Sequence, residues 1–102
     1  MENTKSNGVY TLIEVQIKDA EKFEQYAQET TPLVARYNGK IVGQYKIEEI
    51  VEGSSAANLL LIQEWASETD FRNWYDSPEY QPLKEMRRDA AEVKIILATA
   101  KS

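Results

Sequence analysis

Two kinds of hydrophobic periodicity alternate along this chain, and their order limits the possible folds more than any other feature. Strand-like segments, rich in β-branched residues or continuously apolar, lie over Val9–Ile17, residues 40–51, Leu59–Trp65 and residues 93–99. Amphipathic helical patterns, with apolar residues at three- and four-residue steps, separate the first strand from the second and the third from the fourth. Period two is typical of strands and a period near 3.6 is typical of helices. The order β-α-β-β-α-β predicts an α+β, ferredoxin-like fold.

This topology predicts a sheet with two unlike faces. Two right-handed crossovers place both helices on one face of a four-stranded antiparallel sheet and leave the other face bare. On the first strand the bare face is expected to carry Tyr10, Leu12, Glu14 and Gln16. On the third strand it carries either Leu60, Ile62 and Glu64 or the opposite set, and we favour the first because it turns Leu61 and Trp65 towards the helices. The same assignment turns Gln63 inward, towards the helices.

The bare face is too apolar to be left in water, because it includes Leu12, Leu60 and Ile62. The simplest cover is a second copy of the same surface. We therefore predict a homodimer in which two sheets face each other and form a dimeric α/β barrel.

Local signals predict where the elements begin, bend and end. Asp19 is expected to cap the first helix, and Pro32 to kink or split that helix near Thr30 and Thr31. Gly39 is expected to end it in the left-handed conformation, and Gly43 can form a bulge in the second strand.

In the second helical region, Ser77 and Pro78 mark a break and a new helix start, and Pro82 begins a further helix that runs to about Glu92.

The residue content excludes several kinds of site. The 102-residue chain contains no cysteine and no histidine. Disulfides, thiolate metal sites and cysteine nucleophiles are therefore impossible, and the usual general base and haem ligand are missing. The spacing of acidic residues matches no calcium-binding loop. We predict no cofactor and no metal.

Charge and hydropathy limit the partners and the location. The net charge of −5 argues against a nucleic-acid partner, and the longest apolar run is far too short to span a bilayer. Residues 1–8 are polar and lack an apolar signal core, so they are expected to form a flexible N-terminus of a cytoplasmic protein. Residues 9–102 are expected to form a single domain.

The segment EWASETDFRNWYDSPEYQPLKEMR, residues 64–87, resembles a family of small bacterial proteins called domain of unknown function thirteen-thirty. The likeness extends from Val9 to Thr99, and its most specific part is Trp-Tyr-x-Ser-Pro-Glu-Tyr. It implies the dimeric α/β-barrel superfamily, which includes cofactor-free monooxygenases, lactone isomerases, haem-degrading enzymes and stress-responsive proteins. The chain departs from the family pattern at Gln63 and in the loop 54–58, which lacks an aromatic residue.

Five residues are candidates for function. Glu64 is the candidate catalytic base, since a carboxylate withdrawn from water becomes a stronger base. Tyr10, Glu14, Tyr80 and Arg87 are candidate ligand-binding residues. Structural roles stay open for all of them: Arg87 can instead form an ion pair with Glu64.

The residues of the segment 71–77 can also be explained by structural roles alone. Phe71 and Trp74 are expected to pack against the sheet rather than to form a ligand cage, because aromatic residues at helical spacing are usually core residues. Ser77 is expected to be a helix break and not a nucleophile, since no histidine is present to activate it.

Two functions are compatible with these residues. The first is an uncharacterised dimeric α/β-barrel protein that binds a small metabolite between the sheets. The second is a cofactor-independent enzyme, monooxygenase-like or isomerase-like, that acts on a small organic compound with Glu64 as base. Convergence of Glu64 and Tyr10 on a cavity favours the enzyme, whereas an interior filled by apolar side chains favours a structural role.

Overall fold

The computed structural model describes residues 8–101. The predicted flexible segment over residues 1–8 therefore lies outside the described residues except for Gly8, and the assignment of residues 9–102 to one domain stays a prediction. The elements are β1 (Val9–Ile17), α1 (Ala20–Arg36), β2 (Gly39–Lys46), β3 (Leu59–Trp65), α2 (Glu68–Tyr75), α3 (Tyr80–Ala90) and β4 (Ala91–Thr99).

The four strands form one antiparallel sheet in the order β2-β3-β1-β4. Alternate residues of β1 are buried on the face that packs against the helices: Val9, Thr11, Ile13 and Val15. They share one core with the buried side chains of all three helices. The predicted ferredoxin-like α+β fold, with its helices on one face, is confirmed.

The inward position of Gln63 is explained by its neighbour across the strands. Thr11 is paired with Gln63 in the β1–β3 register, and its Oγ1 donates a hydrogen bond of 2.8 Å to Gln63 Oε1. The same Oγ1 accepts a hydrogen bond of 3.1 Å from Trp65 Nε1. A buried polar group is costly only when it has no partner, so this chain of contacts allows the amide to face the core.

Two predictions about α1 are wrong. The helix is not split at Pro32, which lies on its exposed side. Water can reach the carbonyl that Pro32 leaves without an intrahelical partner, so the lost hydrogen bond does not end the helix. Asn38, not Gly39, takes the left-handed conformation, with φ 66°. Gly39 is needed for close packing instead, because an added Cβ would lie 2.6 Å from the Trp65 ring.

The second strand is shorter than predicted. The sequence pattern extended it to residue 51, but β2 ends at Lys46, and Ile50 and Val51 lie exposed in the connection to β3. The predicted bulge is confirmed, as the register with β3 shifts between Ile41 and Gly43.

Ser77 joins α2 to α3, as its place before Pro78 predicted. It is buried, its Oγ donates to the Trp74 carbonyl at 2.8 Å, and the same atom accepts from the Tyr80 backbone N–H at 3.2 Å. The last helix begins at Tyr80 rather than at Pro82, and β4 follows it directly at Ala91. The hydroxyl therefore serves two helix ends at once.

A pair of buried hydroxyls connects α1 to α3. The Tyr26 and Tyr80 oxygens lie 2.6 Å apart, and the Tyr80 side chain is fully buried. Burial, together with the neighbouring Tyr26, raises the pKa of Tyr80 well above the usual value of 10.0. Tyr80 is therefore neutral in the folded protein at physiological pH.

Replacing Ser77 by Ala should lower the free energy of unfolding by about 1 kcal/mol, because the hydroxyl caps one helix and closes another. Chemical denaturation at a fixed protein concentration measures the change. Ser54→Ala is the control, since Ser54 is exposed in the β2–β3 connection. Equal stability of the two variants would contradict the capping role.

Stability should fall as the pH rises above 10.0, because Tyr80 ionises more readily in the unfolded chain than in the fold. Its contribution is complete below that pH and is lost as the pH increases towards the raised folded value. Tyr80→Phe should lose less stability than the wild type between about pH 9 and about pH 11. Urea midpoints at both values test this, and Tyr45→Phe, at an exposed ring, should behave like the wild type.

Candidate functional site

The five predicted site residues lie on two sides of the sheet. Tyr10, Glu14 and Glu64 are on the face that the helices leave uncovered, which we call the open face. Tyr80 and Arg87 belong to α3 and are buried between the helices and the sheet. They do not form one site.

The strand register arranges the open face in three rungs. One rung is polar and contains Lys40, Glu64, Tyr10 and Ala98; the next contains Gly43, Ile62, Leu12 and Ile96; the third contains Tyr45, Leu60, Glu14 and Lys94. The middle rung forms an apolar stripe of Ile62, Leu12 and Ile96 across three strands. Charged groups therefore lie on both sides of an apolar centre.

Glu64 lies at the polar end of the open face. Its side chain is 28% exposed, and Lys40 Nζ lies 3.6 Å from Oε1. The Tyr10 hydroxyl donates to Glu64 Oε2 at 3.2 Å. This hydrogen bond and the negative charge of Glu64 raise the pKa of Tyr10. The predicted proximity of Tyr10 and Glu64 is thus present within one chain.

Glu14 lies at the other end of the open face. It accepts a hydrogen bond from Ser55 Oγ at 3.0 Å, and Lys94 Nζ lies 3.9 Å away. Glu14 is four residues along β1 from Tyr10, the partner of Glu64, which is roughly 13 Å of strand. The two carboxylates therefore do not converge on one reacting atom within a chain.

The predicted ion pair between Arg87 and Glu64 is wrong. Arg87 reaches the helix-covered face of the sheet from the inward stripe of α3, whereas Glu64 extends from the open face. Arg87 Nη1 donates instead to the Tyr80 hydroxyl at 3.0 Å. Burial opposes the charge on Arg87, and the Tyr80 hydroxyl that accepts its hydrogen bond has a raised pKa and is neutral at physiological pH.

A cavity of about 50 Å³ lies beside Arg87, between α1, α3 and the sheet. Three buried polar atoms have no hydrogen-bond partner among the described residues, and their side chains all contribute to its wall: Thr30 Oγ1, Trp74 Nε1 and Arg87 Nε. Sequence reasoning missed Thr30. The signal was a polar residue four positions after Tyr26 on the apolar stripe of α1.

Two aromatic residues of the 71–80 segment are core residues, as predicted. Phe71 and Trp74 are buried, with ring centroids 5.6 Å and 5.2 Å from that of Trp65. Trp74 has a second role that the pattern did not reveal, since it also forms part of the cavity wall.

Residues 8–101 contain no group of three or more acidic side chains placed to hold a metal ion. The same residues also form no helix with the length and apolar character needed to cross a membrane.

Solved structures share this fold at low sequence identity. A protein of unknown function from Rhodopseudomonas palustris, RPA0582, superposes with a TM-score of 0.82 at 20% identity, over 96% of this chain and 85% of that one. SnoaB, a cofactor-independent oxygenase from Streptomyces nogalater, gives 0.72 at 19% identity over 95% and 96%. A dimeric ferredoxin-like protein of unknown function from Jannaschia sp. CCS1 gives 0.72 at 8% identity over 91% and 99%.

No curated protein matches the sequence. The sequence model of one family does match, and it covers residues 8–100, which include all seven elements. The chain therefore belongs to the family described as domain of unknown function DUF1330.

Proposed function

We propose that the chain is a homodimeric α/β-barrel protein that joins its two open sheet faces and binds a small metabolite between them. The apolar stripe of Leu12, Ile62 and Ile96 is the observation that supports this proposal most directly. The stripe crosses three strands, and Ile96 is 40% exposed in a single chain. Apolar side chains grouped in this way gain free energy when they are removed from water. The cytoplasm is its expected location.

The charges around the stripe suit a symmetric interface. Lys40 and Glu64 lie on one side of it, and Glu14 and Lys94 lie on the other. An isologous interface uses the same surface of both copies, and each end of the open face offers both signs of charge for pairing. The fold of the dimeric ferredoxin-like protein from Jannaschia sp. CCS1 is consistent with this assembly.

The metabolite site follows from the same arrangement. Tyr10 and Glu64 supply a hydroxyl and a carboxylate at one end of the apolar centre, and Glu14 supplies a carboxylate at the other. Small-molecule sites are usually apolar with a few well-placed polar groups. Two facing sheets would enclose such a site, and each chain would contribute both ends.

A second candidate function is a cofactor-independent enzyme, monooxygenase-like or isomerase-like, acting on a small organic compound. The hydrogen bond between Tyr10 and Glu64 is the observation that favours it. Glu64 would remove a proton from carbon as general base, while Tyr10 would donate a hydrogen bond to the carbonyl oxygen that gains charge. The fold similarity to the cofactor-independent oxygenase SnoaB is consistent with this chemistry.

Ile96→Asp should break the dimer. The substitution places an unpaired carboxylate in the proposed interface once from each chain, and the dissociation constant should rise by at least about a hundredfold. Light scattering after size exclusion at micromolar concentration measures the mass. Val51→Asp is the matched control, because Val51 is 87% exposed in a loop and should leave the dimer intact. A wild-type mass of one chain would overturn the proposed assembly.

Glu64→Gln should keep the dimer and lose the small molecule. Native mass spectrometry of the purified wild type is expected to show one co-purified compound per chain, which the variant should lack. Glu68→Gln, at an exposed site on α2, should retain the compound.

Proton exchange tests the second candidate function, the enzyme. The wild type should exchange a carbon-bound proton of that compound with D₂O, and Glu64→Gln should not. Retention of the compound by Glu64→Gln would exclude Glu64 from the site.

A further inference from the structure

The cavity beneath the helices is separate from the proposed site between the sheets. Residues of β1, β3 and β4 that line it, such as Ile13, Leu61 and Ile95, all have positions on the helix-covered face. Its remaining walls come mainly from α1, α3 and Trp74. Thr31, which is exposed, and Ile41, which is half-buried, also line it, so the cavity is not sealed from the surface.

Arg87 is a buried cation without an anionic partner. Its residue is only 7% exposed, and no ion pair involves it in the part of the chain that the structure describes. Within residues 8–101 its one hydrogen-bond partner is the Tyr80 hydroxyl, which is neutral at physiological pH and supplies no counter-charge. A buried guanidinium that lacks a carboxylate is costly. Such an arrangement is expected where the counter-charge comes from a ligand.

The polar atoms of the cavity wall that have no partner are further evidence for a ligand. Arg87 Nε, Trp74 Nε1 and Thr30 Oγ1 can each donate a hydrogen bond, and all three residues are more than nine-tenths buried. Polar atoms buried in native proteins usually have partners, so three without one around the same cavity require an explanation. Two of these groups, an indole and a guanidinium, are donors only, and they therefore need an acceptor.

The size of the cavity and its apolar lining limit the ligand further. A cavity needs about 10–15 Å³ to hold one water molecule. A cavity of about 50 Å³ therefore has room for roughly three to five non-hydrogen atoms. Most of the remaining wall is aliphatic and aromatic, including Val15, Phe23 and Val93, and its other polar residues are Thr31 and Gln63. The ligand that fits has one small anionic head and a short apolar body.

We propose that this cavity binds a short-chain monocarboxylate of about two or three carbons, with Arg87 donating to the carboxylate and the aliphatic wall enclosing the alkyl group. Trp74 and Thr30 complete the ring of donors around the carboxylate oxygens. This site belongs to each chain separately and does not depend on the open face.

Propionate and propionamide test the proposal, because they share an alkyl group and differ in charge. Isothermal titration calorimetry of the wild type should show propionate binding at least about tenfold more tightly than propionamide. Arg87→Gln should abolish this preference. Arg88→Gln is the matched control, since it removes the same charge from the adjacent exposed residue and should bind propionate like the wild type. Equal affinity for the two compounds, or no binding of either, would overturn the proposal.

A second variant separates ligand binding from a purely structural role. Without ligand, Arg87→Met should raise the melting temperature, because the unpaired buried charge is removed while Tyr80 keeps Tyr26 as a partner. Excess propionate should raise the melting temperature of the wild type and leave that of Arg87→Met unchanged. A lower melting temperature for Arg87→Met, with no propionate effect on the wild type, would assign Arg87 to structure alone.

Propionate binding can be tested independently of the proposed dimer. Ile96→Asp alters only the open face, so it should bind propionate with wild-type affinity whatever its mass in solution. Loss of propionate binding in Ile96→Asp would contradict a site that lies within one chain.

Discussion

The pairing of β1 with β3 on one side and with β4 on the other determines which side chains of this protein can meet. Both pairings are antiparallel, and both extend over most of β1. The register places Tyr10 opposite Glu64 on the open face and Thr11 opposite Gln63 on the covered face. Because successive residues point to opposite faces, each strand contributes to two different environments. One is a helix-covered core, and the other is an open surface with an apolar centre.

Polar groups on the covered face have two different environments. Gln63 Oε1, Thr11 Oγ1 and the Trp65 indole form one chain of hydrogen bonds beneath α2. Among the residues described, Arg87 has a single neutral partner, and its Nε has none. Hydrogen bonds between buried polar groups add rigidity, whereas a charge without a counter-charge is costly. This contrast is why the cavity near Arg87, and not the neighbouring polar cluster, stands out as a place for a ligand.

The architecture could be predicted because it follows from periodicity, which is a local property of sequence. The faces of β1 followed from alternation, whereas those of β3, including the inward turn of Gln63, also required that Leu61 and Trp65 be placed in the core. The end of β2 could not be predicted, because Ile50 and Val51 fit a strand pattern but have no partner strand there. Pro32 was misread because the cost of proline depends on whether water reaches the freed carbonyl. The predicted pairing of Arg87 with Glu64 conflicted with the assignment of Glu64 to the bare face. The true partner, Tyr80, could not be predicted, since a helical period shows that a residue faces inward but not which polar atom it reaches.

The strand β3 forms a common partition between the helix-side cavity and the open face. Leu61 and Gln63 contribute to the cavity, while Ile62 and Glu64, their neighbours in sequence, belong to the opposite surface. Inserting or deleting one residue in β3 would therefore exchange the side chains on the two faces of the sheet, with the carboxylate moved towards Arg87 and the amide moved towards the open face. Evolution can alter either face by substitution at alternate positions, but a change in the length of this strand would alter both at once.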